Sequence, residues 1–229
     1  MNNDVTITKN TLIETPRTSL KIKNYMYQGI KRTFDIIIGI IGCILLLPIA
    51  LIIKICNVIT GDLNPIIFSQ NRIGKNGKEF KFYKFRSMIP NADQALFELL
   101  EKNPERREEY RINKKLENDP RITKIGKIIR KTSIDELPQL INVLKGDMSL
   151  IGNRPYLPRE KEDMGLYYNN IVKTKPGLTG YWQVNGRSET SFGERLTLEQ
   201  YYSRHASLML DIKIFFKTFK VVLLHKGSK

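Results

Sequence analysis

The residues from Ile36 to Ile53 read IIIGIIGCILLLPIALII, without one charged side chain. No other stretch restricts the fold as much, because a helix that is apolar all round must be buried in protein or in lipid. At about 1.5 Å per residue the run reaches roughly 27 Å, against roughly 30 Å for the hydrocarbon core of a bilayer. It lies too far from the start for a secretory signal, and no small-residue cleavage site follows it. A buried core helix is the alternative, and the absence of any polar face favours lipid.

Two details complicate a simple span. Pro48 cannot donate its amide to the carbonyl of Ile44, and its ring clashes there, so the helix should kink. Both flanks are also basic: Lys21, Lys23, Lys31 and Arg32 before, Lys54, Arg72, Lys75, Lys78 and Lys81 after. Cations on both ends give no orientation by the positive-inside rule. A re-entrant hairpin that enters and leaves by the cytoplasmic face satisfies both details, and one span with a short outside tail is the other arrangement. The chain divides accordingly into a polar tail over 1–30, a membrane segment over 31–60 and a cytoplasmic domain over 61–229.

That domain is strongly basic. The chain carries 38 Lys and Arg against 23 Asp and Glu, a net charge of +15. Such an excess points to acidic partners: nucleic acid, phosphate-bearing small molecules or anionic lipid. Cys43 and Cys56 have no Cys or His partner at metal-ligand spacing and read as small apolar fillers. His205 and His225 belong to no motif.

Downstream, Ile66–Ile73 and Lys78–Phe85 are strand-like and flank Gly74-Lys-Asn-Gly77, a hairpin loop. Asn91–Lys115 reads as a charged surface helix broken by Asp119-Pro120; Ile122–Arg130 follows, then Ser133–Leu144 as a second helix. Gly146–Pro158 and Pro176–Gly180 read as loops, Tyr181–Val184 as a short strand, and Glu194–His225 as largely helical. In that last stretch apolar residues alternate with Lys213, Lys217, Lys220 and Lys226. This fits an amphipathic helix on anionic lipid, or a core helix whose lysines reach outward. The fold class is α+β: a mainly helical domain with a small β-hairpin, a re-entrant membrane helix and interfacial helices.

The densest chemistry is Thr132-Ser-Ile-Asp-Glu-Leu-Pro-Gln139. Ser133 and Glu136 match the capping box that starts many helices. Yet Asp135 and Glu136 lie among Arg121, Lys124, Lys127, Arg130 and Lys131, with Lys84, Arg86 and Arg154 from other segments. Cations near a helix start make a phosphate site and keep a carboxylate ionised as a nucleophile. Acids among cations suit phosphoryl transfer.

With these residues in place, the chain resembles the bacterial sugar transferases, the monotopic phosphoglycosyl transferases. The resemblance runs from about Lys31 to the C-terminus and rests on many short pieces in the family's order. They include Lys31-Arg-Thr-Phe-Asp35, Arg72-Ile-Gly74, Lys84-Phe-Arg-Ser-Met88, Asp119-Pro-Arg-Ile-Thr123, Ser133-Ile-Asp-Glu-Leu-Pro-Gln-Leu140, Arg154-Pro155, Lys175-Pro-Gly-Leu-Thr-Gly180 and Gln183-Val-Asn-Gly-Arg187. It implies transfer of a sugar-1-phosphate from a UDP-sugar to a polyprenyl (undecaprenyl) phosphate at the bacterial cytoplasmic membrane, with release of UMP. Asp135 would be the nucleophile and Glu136 the holder of Mg²⁺. Lys84, Arg86 and Arg130 would contact phosphate, Arg154 would hold the nucleotide, and Asp211 would lie near the site. It also implies a re-entrant hairpin. The chain departs at Gly152-Asn-Arg-Pro155 (usually Gly-Pro-Arg-Pro), at Leu47 (often Ser) and at Asn64-Pro65 (usually Gly-Pro).

Anionic lipid is an expected partner, nucleic acid is not, and homo-oligomerisation is left open. A nucleic-acid-binding membrane protein could use Phe80, Phe82 and Phe85 with Lys81 and Lys84 as a stacking sheet, but leaves the acid pair unexplained. A non-catalytic scaffold would not need the pair. A transferase that moves the sugar without its phosphate commonly uses Asp-x-Asp, which does not occur here.

Overall fold

A computed structural model describes residues 17–113, 116–186 and 190–223. The apolar run forms the middle of one long helix, α1 (Arg17–Ile59), with Pro48 inside it. The helix starts at Arg17, within the stretch expected to be a tail. It is the one helix, among the described residues, long and apolar enough to cross a membrane.

One side of α1 is exposed and apolar, including Ile37, Ile40, Ile44, Leu47, Leu51 and Ile55. The other side grips the domain. Leu46 and Ile53 pack in a cluster with Phe85 and Ile129. Gly39 and Gly42 face the helix α5 (Gln139–Lys145): a Cβ on Gly39 would lie 2.7 Å from Leu144 Cδ2, and one on Gly42 2.5 Å from Leu140 Cδ1, so a larger residue there would push these leucines aside. Buried Asp35 accepts hydrogen bonds from Ser149 Oγ at 3.0 Å and Leu150 N at 2.8 Å. Arg32 donates to the carbonyls of Val143 and Leu144 at the end of α5, where a cation suits the exposed carbonyls.

The expected hairpin forms from β1 (Ile67–Ile73) and β2 (Glu79–Phe85), antiparallel, with Gln70 opposite Phe82 and Arg72 opposite Phe80. Its tight turn places Asn76 and Gly77 at φ 58° and 78°. The long surface helix expected over 91–115 is instead two helices, α2 (Ala92–Lys102) and α3 (Pro104–Asn113). Pro104 supplies no amide and disfavours helix in Asn103. Next comes α4 (Lys124–Lys131), where Thr123 Oγ1 accepts from Gly126 N at 2.9 Å.

Ser133 does not cap a helix. It sits at φ 58°, makes no capping hydrogen bond, and leads into a 3₁₀ turn over Ile134–Glu136; α5 (Gln139–Lys145) begins only after Pro138. The capping-box expectation is thus corrected: a left-handed residue lets the chain reverse tightly between α4 and α5. The two expected loops hold a short parallel pair, β3 (Ser149–Ile151) beside β4 (Gly177–Thr179), joined through α6 (Lys161–Met164) and α7 (Tyr168–Ile171). The expected strand at Tyr181–Val184 is the helix α8 (Tyr181–Asn185). Its Trp182 turns inward and donates to Thr190 Oγ1 at 2.8 Å, so packing overrides the β preference of Tyr, Trp and Val. The chain then forms α9 (Phe192–His205) and α10 (Leu208–Leu223). Lys226 and His225 lie outside the described residues.

Candidate active site

The reversal at Ser133 faces Asp135 inward. Asp135 is 6% exposed. Strand alternation on β2 aims Lys84 at it. Lys84 Nζ lies 3.5 Å from Asp135 Oδ2 and 3.1 Å from Glu136 Oε1. Glu136 is the more open of the two acids, with 38% of its side chain exposed against 9% for Asp135.

The electrostatics differ from the expected low carboxylate. Burial pushes the Asp135 carboxyl above its usual range; Lys84 pulls it back, Glu136 adds to the rise, and Arg130 opposes it weakly. The basic neighbourhood does not overcome burial because most of it is elsewhere. Lys124, Lys127 and Arg130 are exposed. Buried Arg121 is engaged in a two-pronged pair with Asp119, at 2.8 Å and 2.6 Å.

Lys84 and Glu136 open onto a cleft with about 550 Å³ of space, counting its mouth. Its walls include Arg72, Phe82, Gln139, Arg154, Trp182 and Gln183. Arg154 is held by its backbone amide, which donates to both carboxylate oxygens of Glu199 at 3.2 Å and 3.0 Å. Its guanidinium carbon lies 5.8 Å from the Trp182 ring, and that of Arg195 lies 4.3 Å from the same ring. Complete burial raises the Glu199 carboxyl to about 8, with Arg154 and Arg195 pulling against the rise.

Of the residues expected at the site, Lys84, Glu136 and Arg154 line this cleft, Asp135 stands behind it in contact with Lys84, and Arg130 acts on Asp135 as a nearby charge. Two do not converge. Arg86 donates to Pro65 O at 2.8 Å, Met88 O at 3.2 Å and Asp62 Oδ2 at 2.8 Å, which ties the 62–65 turn to the strand end. Asp211 is buried in a different place, accepting from Lys31 Nζ at 2.5 Å, Tyr27 OH at 2.9 Å and Tyr202 OH at 2.8 Å. The cleft adds Arg72, Gln139, Trp182 and Gln183. Gln183 opens a motif in the sequence; Trp182 and Glu199 carry no sequence signal of a site. Arg187, the end of that motif, lies outside the described residues.

Among the described residues, no group of three or more His, Cys, Asp or Glu side chains gathers to hold a metal. Mg²⁺ asks for less. It keeps several waters and is commonly bound by one or two carboxylates together with substrate phosphates. Asp135 and Glu136 at a cationic cleft fit that arrangement.

The model of the family described as bacterial sugar transferase matches residues 26–225. The undecaprenyl-phosphate galactose phosphotransferase of Salmonella typhimurium is 46% identical over 213 residues, covering 91% of this chain and 44% of that protein. The galactosyl transferase CpsE of Streptococcus agalactiae is 48% identical over 212 residues, covering 92% of this chain and 46% of that protein. The exopolysaccharide production protein ExoY of Sinorhizobium fredii is 41% identical over 198 residues, covering 86% of this chain and 87% of that protein. The chain therefore spans less than half the length of the first two relatives and most of the third.

The opposing influences on Asp135 can be separated. Its carboxyl titration, followed by ¹³C NMR, should move to higher pH in Lys84→Met, which removes the charge favouring the ionised form. It should move to lower pH in Glu136→Gln, which removes a repelling charge. The reverse order would contradict this electrostatic assignment.

Proposed function

Because the chain belongs to the bacterial sugar transferase family, we propose that it transfers a sugar-1-phosphate from a UDP-sugar to a polyprenyl phosphate in two steps on Asp135. The observation that carries this reading is the buried Asp135 carboxyl, in contact with Lys84, beside Glu136 at one end of a cation-lined cleft. In the first step an Asp135 carboxylate oxygen attacks the phosphorus that bears the sugar. A bond forms between them as the bond to the bridging oxygen breaks, and UMP leaves with the electron pair. In the second step a phosphate oxygen of the polyprenyl phosphate attacks the same phosphorus and expels Asp135 as a carboxylate. The product is a polyprenyl diphosphate sugar.

Each neighbour has a part in this. Lys84 counters the charge that accumulates where a carboxylate meets a diphosphate. Mg²⁺, held by Glu136 and the diphosphate, would supply further neutralisation there. The guanidinium fork of Arg154, fixed by the Glu199 clamp on its amide, would take up nucleotide phosphate. We read Arg86 and Asp211 as holding the frame rather than touching substrate. Several relatives are named for galactose, so UDP-galactose is the first donor to try.

The same reading places the chain at the bacterial cytoplasmic membrane with α1 re-entrant rather than spanning. Its support is the contact of α1 with the domain both before and after Pro48: Asp35 on β3 on one side, Ile53 in the Phe85 cluster on the other. A helix crossing the bilayer would have to draw part of that charged domain into lipid. Exposed Met209, Ile212, Phe216 and Phe219 on α10, with Lys213, Lys217 and Lys220 nearby, suit the interface and anionic headgroups.

Two experiments test these readings. Initial rates with varied donor and acceptor should follow a ping-pong pattern with UMP, not UDP, as the nucleotide product, and Asp135→Asn should lose turnover because an amide is a very poor nucleophile. Sequential kinetics, UDP release or an active Asp135→Asn would contradict the mechanism. For topology, tags on Met1 and Lys229 should both be shielded from outside reagents in intact cells. Labelling of the Met1 tag from outside would show a span.

A further inference from the structure

The cleft carries more positive charge than the acid pair engages. Arg72 on β1 and Lys84 on β2 share one face of the hairpin with Phe82 between them: the Arg72 guanidinium carbon is 5.3 Å and Lys84 Nζ 5.7 Å from the ring centroid. Lys84 stands at the end with Asp135 and Glu136. Arg72 stands at the other end, where its Nη1 donates to Pro155 O at 3.1 Å, next to Arg154 in sequence.

Arg72 is nearly enclosed, with 12% of its side chain exposed, yet among the described residues no carboxylate comes within hydrogen-bond distance of it. Its nearest carboxylate, Glu160 at 3.9 Å, is beyond hydrogen-bond range and already accepts from Leu157 N at 2.6 Å. Among the described residues Arg72 Nη2 reaches only the neutral Gln70, at 3.2 Å. The Nε atoms of both Arg72 and Arg154 are buried without an acceptor among the described residues. Burial first, and then the charge of Arg154, lowers the Arg72 guanidinium to about 10. Two like charges held together in one wall, with donors unused, call for an anion between them.

We propose that Arg72 is a phosphate-binding residue which, with Arg154, holds the phosphate of the departing UMP, while Lys84 serves the phosphate that Asp135 attacks. This rests on the phosphosugar-transfer reading above. The order along the hairpin gives the direction: the attacked phosphorus lies at the Asp135 end, so the nucleotide phosphate extends toward Arg72 and Arg154. As the bridging bond breaks, its electron pair passes to the oxygen that stays on UMP, and the added charge falls where these donors are unused. The polyprenyl phosphate approaches phosphorus after UMP has left and makes no demand on Arg72.

The two half-reactions separate this role. The wild type is first screened with UDP-galactose, UDP-glucose and UDP-N-acetylgalactosamine, without lipid, for a burst of at most one UMP per enzyme. With the active donor, Arg72→Gln keeps a donor for the Pro155 carbonyl but no charge, and Arg72→Lys keeps charge without the planar fork. Both should slow the burst, Arg72→Gln by roughly tenfold to a hundredfold. Transfer from the loaded, nucleotide-free enzyme to undecaprenyl phosphate should stay within about twofold of wild type, which also shows that the variants are folded. An unchanged burst in Arg72→Gln overturns the proposal. A selective loss in the second step overturns it by giving Arg72 to the acceptor, and equal losses in both steps overturn it by making Arg72 structural. A wild type with no UMP burst for any donor would sink the covalent reading itself, a result distinct from all of these.

Discussion

Everything in this structure hangs on the polar contacts that bind α1 to the domain. Lys31 and Asp35 lie one helical turn apart on its inner side and would be costly to bury alone. Lys31 is satisfied by Asp211 on α10 and by the Ile151 carbonyl, Asp35 by Ser149 and Leu150 on β3. These bonds fix β3, and β3 pairs with β4, whose Gly177 and Leu178 help to line the cleft. Farther along α1, Gly39 and Gly42 admit α5, the helix that follows the acid pair. The element with the apolar outer face is therefore also the frame of the candidate site, which suits the proposed transfer to a lipid acceptor.

At the site, burial and charge act against each other. Enclosing Asp135 makes its ionised form harder to hold, and Lys84 offsets part of that cost. A fully exposed carboxylate would be ionised more easily but would be shielded by water. An enclosed carboxylate without Lys84 would hold its proton more readily and be a weaker nucleophile. The same opposition recurs at Glu199, which is buried completely and spends both oxygens on one backbone amide. Its use is positional, since that amide belongs to Arg154.

Much of this was legible in the sequence. The apolar run, the hairpin around Gly74 and Gly77 and the acid pair with Lys84 and Arg154 all follow from periodicity, turn residues and motif order. The misreadings have identifiable causes. Ser-x-x-Glu at Ser133 has the composition of a cap, but the tight reversal that buries Asp135 requires a left-handed residue there. The β3–β4 pair has no alternation to read, because Gly152 and Gly177 bring two backbones into contact: a Cβ on Gly152 would meet Gly177 N at 2.7 Å. Trp182, Arg195 and Glu199 meet Arg154 only through the packing of α8 and α9, which no local pattern encodes. Asn103-Pro104 did announce its break; the surrounding charged, helix-favouring residues concealed it.

The proposed two-step transfer requires Asp135 itself to carry the phosphosugar between donor and lipid. Mass spectrometry tests this most directly. The enzyme is incubated with UDP-sugar in the absence of polyprenyl phosphate, quenched, and analysed intact and after proteolysis. The expected result is a mass gain of one phosphosugar, located on the peptide containing Asp135, which disappears when polyprenyl phosphate is added before the quench. An unmodified enzyme that still turns over when both substrates are present, or an adduct on any other residue, would contradict it.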